Sequence, residues 1–194
     1  MKKYFILFFL LFATNIINAE ILSDSARVSL MSGVYIFSYA QPIAPYTILG
    51  EVSFSGKGDA YHYTIGGISI LGNSEVYYPQ LRNSLIAQAV LANREVEGII
   101  IKGKSATMIK FVPEVINKDI AIVSSVRGLS IFLDSEPLHQ YEYIQTKNVG
   151  IADETSSTLD NLSKKAIKLK KDVEAMIIYC DENYIERADY IKFK

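Results

Sequence analysis

Two histidines, His62 and His139, and one cysteine, Cys180, are all the imidazole and thiol chemistry the 194-residue chain carries. Transition-metal sites need three or four such ligands converging at characteristic spacings. No CxxC or HxxxH occurs, so no metal ligand set is read and no cofactor is expected. Asp181, Glu182, Glu186 and Asp189 form an acidic stretch whose oxygens suit a hard cation. It lacks the Asp/Asn-Gly pattern of a dedicated calcium loop and reads as a solvated turn. Nucleophilic catalysis needs a Ser, Thr or Cys beside a base and an orienting group. GxSxG is absent and neither histidine sits in a motif beside a serine, so the chain is expected to have no catalytic residues and not to be an enzyme. Cys180, inside the apolar run AMIIYC, reads as a small buried hydrophobe.

The segment GKGDAYHYTIGGISILGNSEVYY carries the most adaptable contact chemistry. Tyrosine among glycines supplies large amphipathic area at small entropic cost. Tyr61, His62, Tyr63, Tyr77 and Tyr78 are therefore the expected ligand-binding or partner-binding residues. The competing reading is a β-hairpin, TIGGISIL, whose tyrosines pack on a sheet. Lys164, Lys165, Lys168, Lys170 and Lys171 crowd one later helix and read as its solvated face.

These groups sit in a chain that opens MKKYFILFFLLFATNIINAE. Two lysines, a short apolar run and a small-residue end make the three-part layout of a signal peptide, here residues 1–19. The expected product is exported: periplasmic, cell-envelope or secreted, with no stable membrane insertion after cleavage. Losing Lys2 and Lys3 with the leader leaves 18 basic residues against 21 acidic ones. That balance gives no basic face for nucleic acid. With one cysteine the chain has no internal disulfide and must rely on packing.

The packing elements come in two similar sets. GVYIFSYAQPIAPY begins at Gly33 and GLSIFLDSEPLHQY at Gly128, so Ile36, Phe37, Pro42 and Tyr46 meet Ile131, Phe132, Pro137 and Tyr141. Val96-Glu97 answers Val173-Glu174, and ATMIKF answers ADYIKF. Such recurrence points to a duplicated folding unit. In each unit β-rich runs precede a helix with an apolar stripe: Leu81, Leu85, Ala89 and Ala92 in the first, Leu159, Leu162, Ala166, Leu169 and Val173 in the second. Pro79 suits the first turn of one helix, and Ser157 with Asp160 suggests the cap of the other. VEGIIIKG and VEAMIIYC follow as central strands with hairpin partners. The expected class is α+β: a tandem β-α-β-β (or β-β-α-β-β) unit, with one helix packed on an antiparallel or mixed sheet in each. The expected divisions are a first unit over 28–112 with an insertion at 56–78, a connector at 113–121, and a second unit over 122–194.

PYTILGEVSF, followed by a helix and then EVEGIIIKG, resembles the small YbjQ-like heavy-metal-binding β-α-β-β modules. The likeness spans most of the first unit and fades in the second, where Gln145 replaces Gly50. It implies a fold and a tendency to assemble through sheet edges, and no catalytic residue. The functional expectation is an exported, non-enzymatic binding or assembly module of the cell envelope, with a protein partner or a second copy at its sheet edges. The alternative is a small-ligand or metal-binding protein using the Tyr/Gly-rich insertion.

Overall fold

A computed structural model of the chain describes residues 23–54, 60–65, 68–73, 77–149, 155–169, 172–182 and 184–194. Its order of elements is β1 (Ser25–Val28), β2 (Leu30–Met31), β3 (Val34–Ser38), β4 (Ala40–Pro42), β5 (Tyr46–Ser53), β6 (Ala60–Ile65), β7 (Ile68–Asn73), α1 (Tyr78–Ala92), β8 (Gly98–Lys102) and β9 (Ser105–Phe111). Then come β10 (Ile120–Val123), β11 (Ser125–Val126), β12 (Leu129–Leu133), β13 (Ser135–Pro137), β14 (Tyr141–Asn148), α2 (Thr155–Lys168), β15 (Ala175–Cys180) and β16 (Ile185–Phe193).

This corrects the α+β expectation. Sixteen strands and two helices among the described residues make the protein mostly β, not a tandem β-α-β-β or β-β-α-β-β chain with a helix balanced against each sheet. The physical reason is strand length. β1, β2, β4 and their later counterparts have two to four residues. Elements so short show no apolar period from which a strand is read.

Two five-stranded sheets share one strand order, β2-β3-β8-β9-β5 and β11-β12-β15-β16-β14. In each, a parallel pair (β3 with β8, β12 with β15) is flanked by antiparallel neighbours. The helix between the two parallel strands supplies their crossover, as parallel neighbours require. A four-stranded sheet, β13-β1-β10-β4, is woven from both halves of the chain, so the two five-stranded sheets are not independent units. The strand bounds of β1–β5 recur 95 residues later in β10–β14, for example Ser25 against Ile120 and Val34 against Leu129. At the centre of the woven sheet Ala26 pairs with Ala121, its own counterpart at that spacing, and both are fully buried.

The direct crossings from β3 to β4 and from β12 to β13 each pass through a left-handed residue, Tyr39 and Asp134, both at φ +53°. Three buried clusters result. One lies under the woven sheet around Ala26, Phe37, Ala121 and Phe132. The other two lie under the helices, around Leu85 and Ile99 and around Leu162 and Met176. β6 and β7 form a separate antiparallel pair with Ile65 opposite Ile68. No helix among the described residues is long and apolar enough to cross a membrane.

Candidate functional site: a buried polar knot beside a cavity

The start of α1 builds the most concentrated polar chemistry among the described residues. Tyr77 holds the extended N-cap position without a side-chain cap, and Pro79 fixes the first turn. The following Tyr78 does not stay with its own half. It packs in the cluster around Leu129, Ile131 and Leu162, beneath the later helix. Its hydroxyl reaches Ser38 Oγ and Asp134 Oδ2. Ser38 Oγ donates to the same carboxylate oxygen at 3.0 Å. One turn along α1, Arg82 Nη1 donates to the other oxygen, Asp134 Oδ1, at 2.5 Å. The Arg82 and Asp134 side chains are 11% and 6% exposed, so this pair is shielded from water as surface pairs are not. Burial, then the neighbouring Asp134 carboxylate, pushes the Tyr78 phenol well above its ordinary pKa, so it stays protonated and donates.

Beside this knot lies a cavity of about 430 Å³, lined among others by Arg82, Asp134, Ser135, Tyr179 and Cys180. Ser135 is 7% exposed, and its hydroxyl has no hydrogen-bond partner among the described residues. A buried hydroxyl left unpaired costs about 1–3 kcal/mol. The Cys180 thiol is pushed up to about 12, chiefly by burial and next by the Asp134 charge. It stays protonated at neutral pH, but it is half-buried at the cavity wall rather than buried in the core as its apolar run suggested.

The residues expected from sequence to bind a ligand or partner separate in space. Tyr61, His62 and Tyr63 lie in β6, opposite Gly72, Leu71 and Ile70. Their side chains, and residues 56–59, 66–67 and 74–76 of the 56–78 insertion, lie outside the described residues. Tyr77 is half-buried and Tyr78 is enclosed within the knot. His139 Nε2 stands 3.0 Å from the carbonyl oxygen of Lys194, with its ring edge-on to Phe193. In the acidic stretch, Asp181 accepts the Tyr184 amide at 2.7 Å and Asp189 accepts the Thr146 hydroxyl. No group of three or more His, Cys, Asp and Glu placed to hold a metal occurs among the described residues. Ser157 lies inside α2 and not at its cap, and Asp160 is paired with Arg127 at 2.5 Å and Lys164 at 2.7 Å. Ser38, Arg82, Asp134 and Ser135 escaped the sequence reading. The available signal was Asp134-Ser135 standing where the earlier repeat has Tyr39-Ala40.

A second set of exposed features lies at the sheet edges. β5 and β14 each close a five-stranded sheet, with no strand on their outer side among the described residues. Each carries an exposed large side chain just before a register shift, Ile48 (66% exposed) and Tyr143 (59%). No family model matches the chain, and no curated protein or solved structure matches it.

Proposed function

We propose that the chain is an exported, non-enzymatic assembly module of the cell envelope that pairs with a second copy of itself through the outer edges of β5 and β14. The carrying observation is that both five-stranded sheets end in an open eight-residue strand bearing an exposed apolar side chain at corresponding positions, Ile48 and Tyr143. Open edges template the addition of another strand. The bulge after Ile48 and after Tyr143 divides each edge into two short stretches. An added strand would thus pair over a few residues, which favours a limited, reversible contact over a fibre. The reading agrees with the edge assembly that the YbjQ-like resemblance implies. Light scattering over a rising protein concentration tests it. The wild-type protein should associate, and Ile48→Lys with Tyr143→Lys should return it to the monomer mass. A wild-type protein that stays monomeric throughout overturns the reading.

A further inference from the structure

We infer that the outward face of α2 is a docking surface for a bilayer rich in anionic phospholipid, on which the protein rests without spanning it. α2 buries Leu159, Leu162 and Ala166 in the cluster around Met176. Lys164, Lys165 and Lys168 are all exposed, at a spacing that gathers them on one face of the helix. Ile167 borders them and is 54% exposed.

Charge identifies the occupant. The chain as a whole has a net charge of −1, yet Asp160 is the single acid of α2 against three lysines. That acid is already taken by Arg127 and Lys164. Lys165 and Lys168 make no ion pair among the described residues, and Lys170 and Lys171 follow in the sequence. A positive face on an otherwise acidic molecule complements a layer of phosphate headgroups. Ile167 narrows the class further. A polyanion in solution uses the cations alone, whereas at a bilayer the apolar side chain enters the acyl boundary while the lysine stems lie along it and their ammonium groups reach the phosphates.

The fold itself does not demand this face. α1 holds the same place between its own pair of parallel strands, and its one charged residue, Arg82, is turned into the polar knot. The outward side of α1 is therefore uncharged. The dipole of α2 favours a cation in its last turn, but it does not call for an exposed isoleucine among the lysines.

The docking does not rest on edge assembly, and its readout is capture by lipid rather than mass. Residues 20–194, which keep every described element, are sedimented with phosphatidylglycerol vesicles and with phosphatidylcholine vesicles, and passed over heparin as a soluble polyanion. Phosphatidylglycerol vesicles should capture the protein and phosphatidylcholine vesicles should not. Capture should fade as salt rises from about 50 mM to about 500 mM. Lys165→Gln with Lys168→Gln should weaken it roughly twentyfold, about fivefold for each charge. Ile167→Ser should weaken it roughly tenfold and leave heparin retention unchanged. All three side chains are exposed, so the variants should keep the wild-type urea midpoint. No capture by phosphatidylglycerol, equal capture by phosphatidylcholine, or capture that the lysine pair leaves unchanged each overturns the inference. Vesicle capture indifferent to Ile167→Ser, together with heparin retention, overturns it as well and assigns the face to a polyanion.

Discussion

Asp134 holds the largest share of the buried polar chemistry, because three side chains from the first half of the chain converge on one carboxylate of the second. Removing a single partner is costly where replacing the set is not, since what remains is a charge shut away from water. Arg82→Met should therefore destabilise the protein by about 3–5 kcal/mol in urea unfolding. Adding Asp134→Asn should restore much of that loss, because asparagine tolerates the left-handed backbone at this position and carries no charge. Equal losses in the single and double variants would mean that shape, not charge, is what Arg82 supplies. Cys180 is a second test at this scale. With its pKa at about 12, the thiol should resist iodoacetamide at pH 8 in the folded protein and react promptly in urea. Fast reaction of the folded form would contradict the raised pKa.

At the scale of elements, the repeated Val-Glu before each central strand proves to be a fastener. The Glu97 amide donates to Ile109 O at 3.0 Å while its carboxylate accepts the Phe111 amide at 2.8 Å. Glu174 repeats both bonds with Ile191 O and the Phe193 amide. Glu97 is also reached by Lys118 Nζ at 2.7 Å, and that hydrogen bond is the largest cause holding its carboxyl below the ordinary value of 4.5. A carboxyl depressed in the folded state binds fewer protons there than in the unfolded chain, so stability rises with pH through this range. The contribution is complete above about pH 4.5 and drains away as pH falls through the lower folded value. Glu97→Gln should leave a shallower decline in urea midpoint between pH 7 and pH 3 than the wild-type protein shows, and an unchanged slope would count against the fastener.

Much of this element level was open to sequence reading. Leu81, Leu85 and Ala89, and Leu159, Leu162 and Ala166, are buried as their spacing requires, whereas Ala92 at the end of its stripe is exposed and Leu169 and Val173 lie beyond the end of α2 at Lys168. The short woven strands were not, for want of a period. Nor was the polar knot: Arg82 and Asp134 stand 52 positions apart, and only the crossing of the chain between sheets brings them together.

The whole molecule is held by contacts that come in pairs related by the 95-residue spacing. Ser29 N donates to the carbonyl of Asp134, and Ser124 N to that of Tyr39; Val28 N donates to Asp119 O, and Val123 N to Asp24 O. Every one of these bonds joins one half to the other, so neither half has a satisfied backbone without its counterpart. Repeated words in a sequence show that two halves are alike, but not that they exchange strands. That exchange is settled where β1 and β10 lie side by side, with Ala26 opposite Ala121. Both methyl groups are fully buried against a cluster that includes Phe37 and Phe132, so each must be small. Ala26→Leu should cost about 1–3 kcal/mol by overpacking. Because the affected sheet is built from both halves, calorimetry should show one transition shifted as a whole, with calorimetric and van't Hoff enthalpies still in agreement. Two transitions, with only one displaced by Ala26→Leu, would show instead that the halves unfold separately and that the woven sheet is a contact between domains rather than their common core.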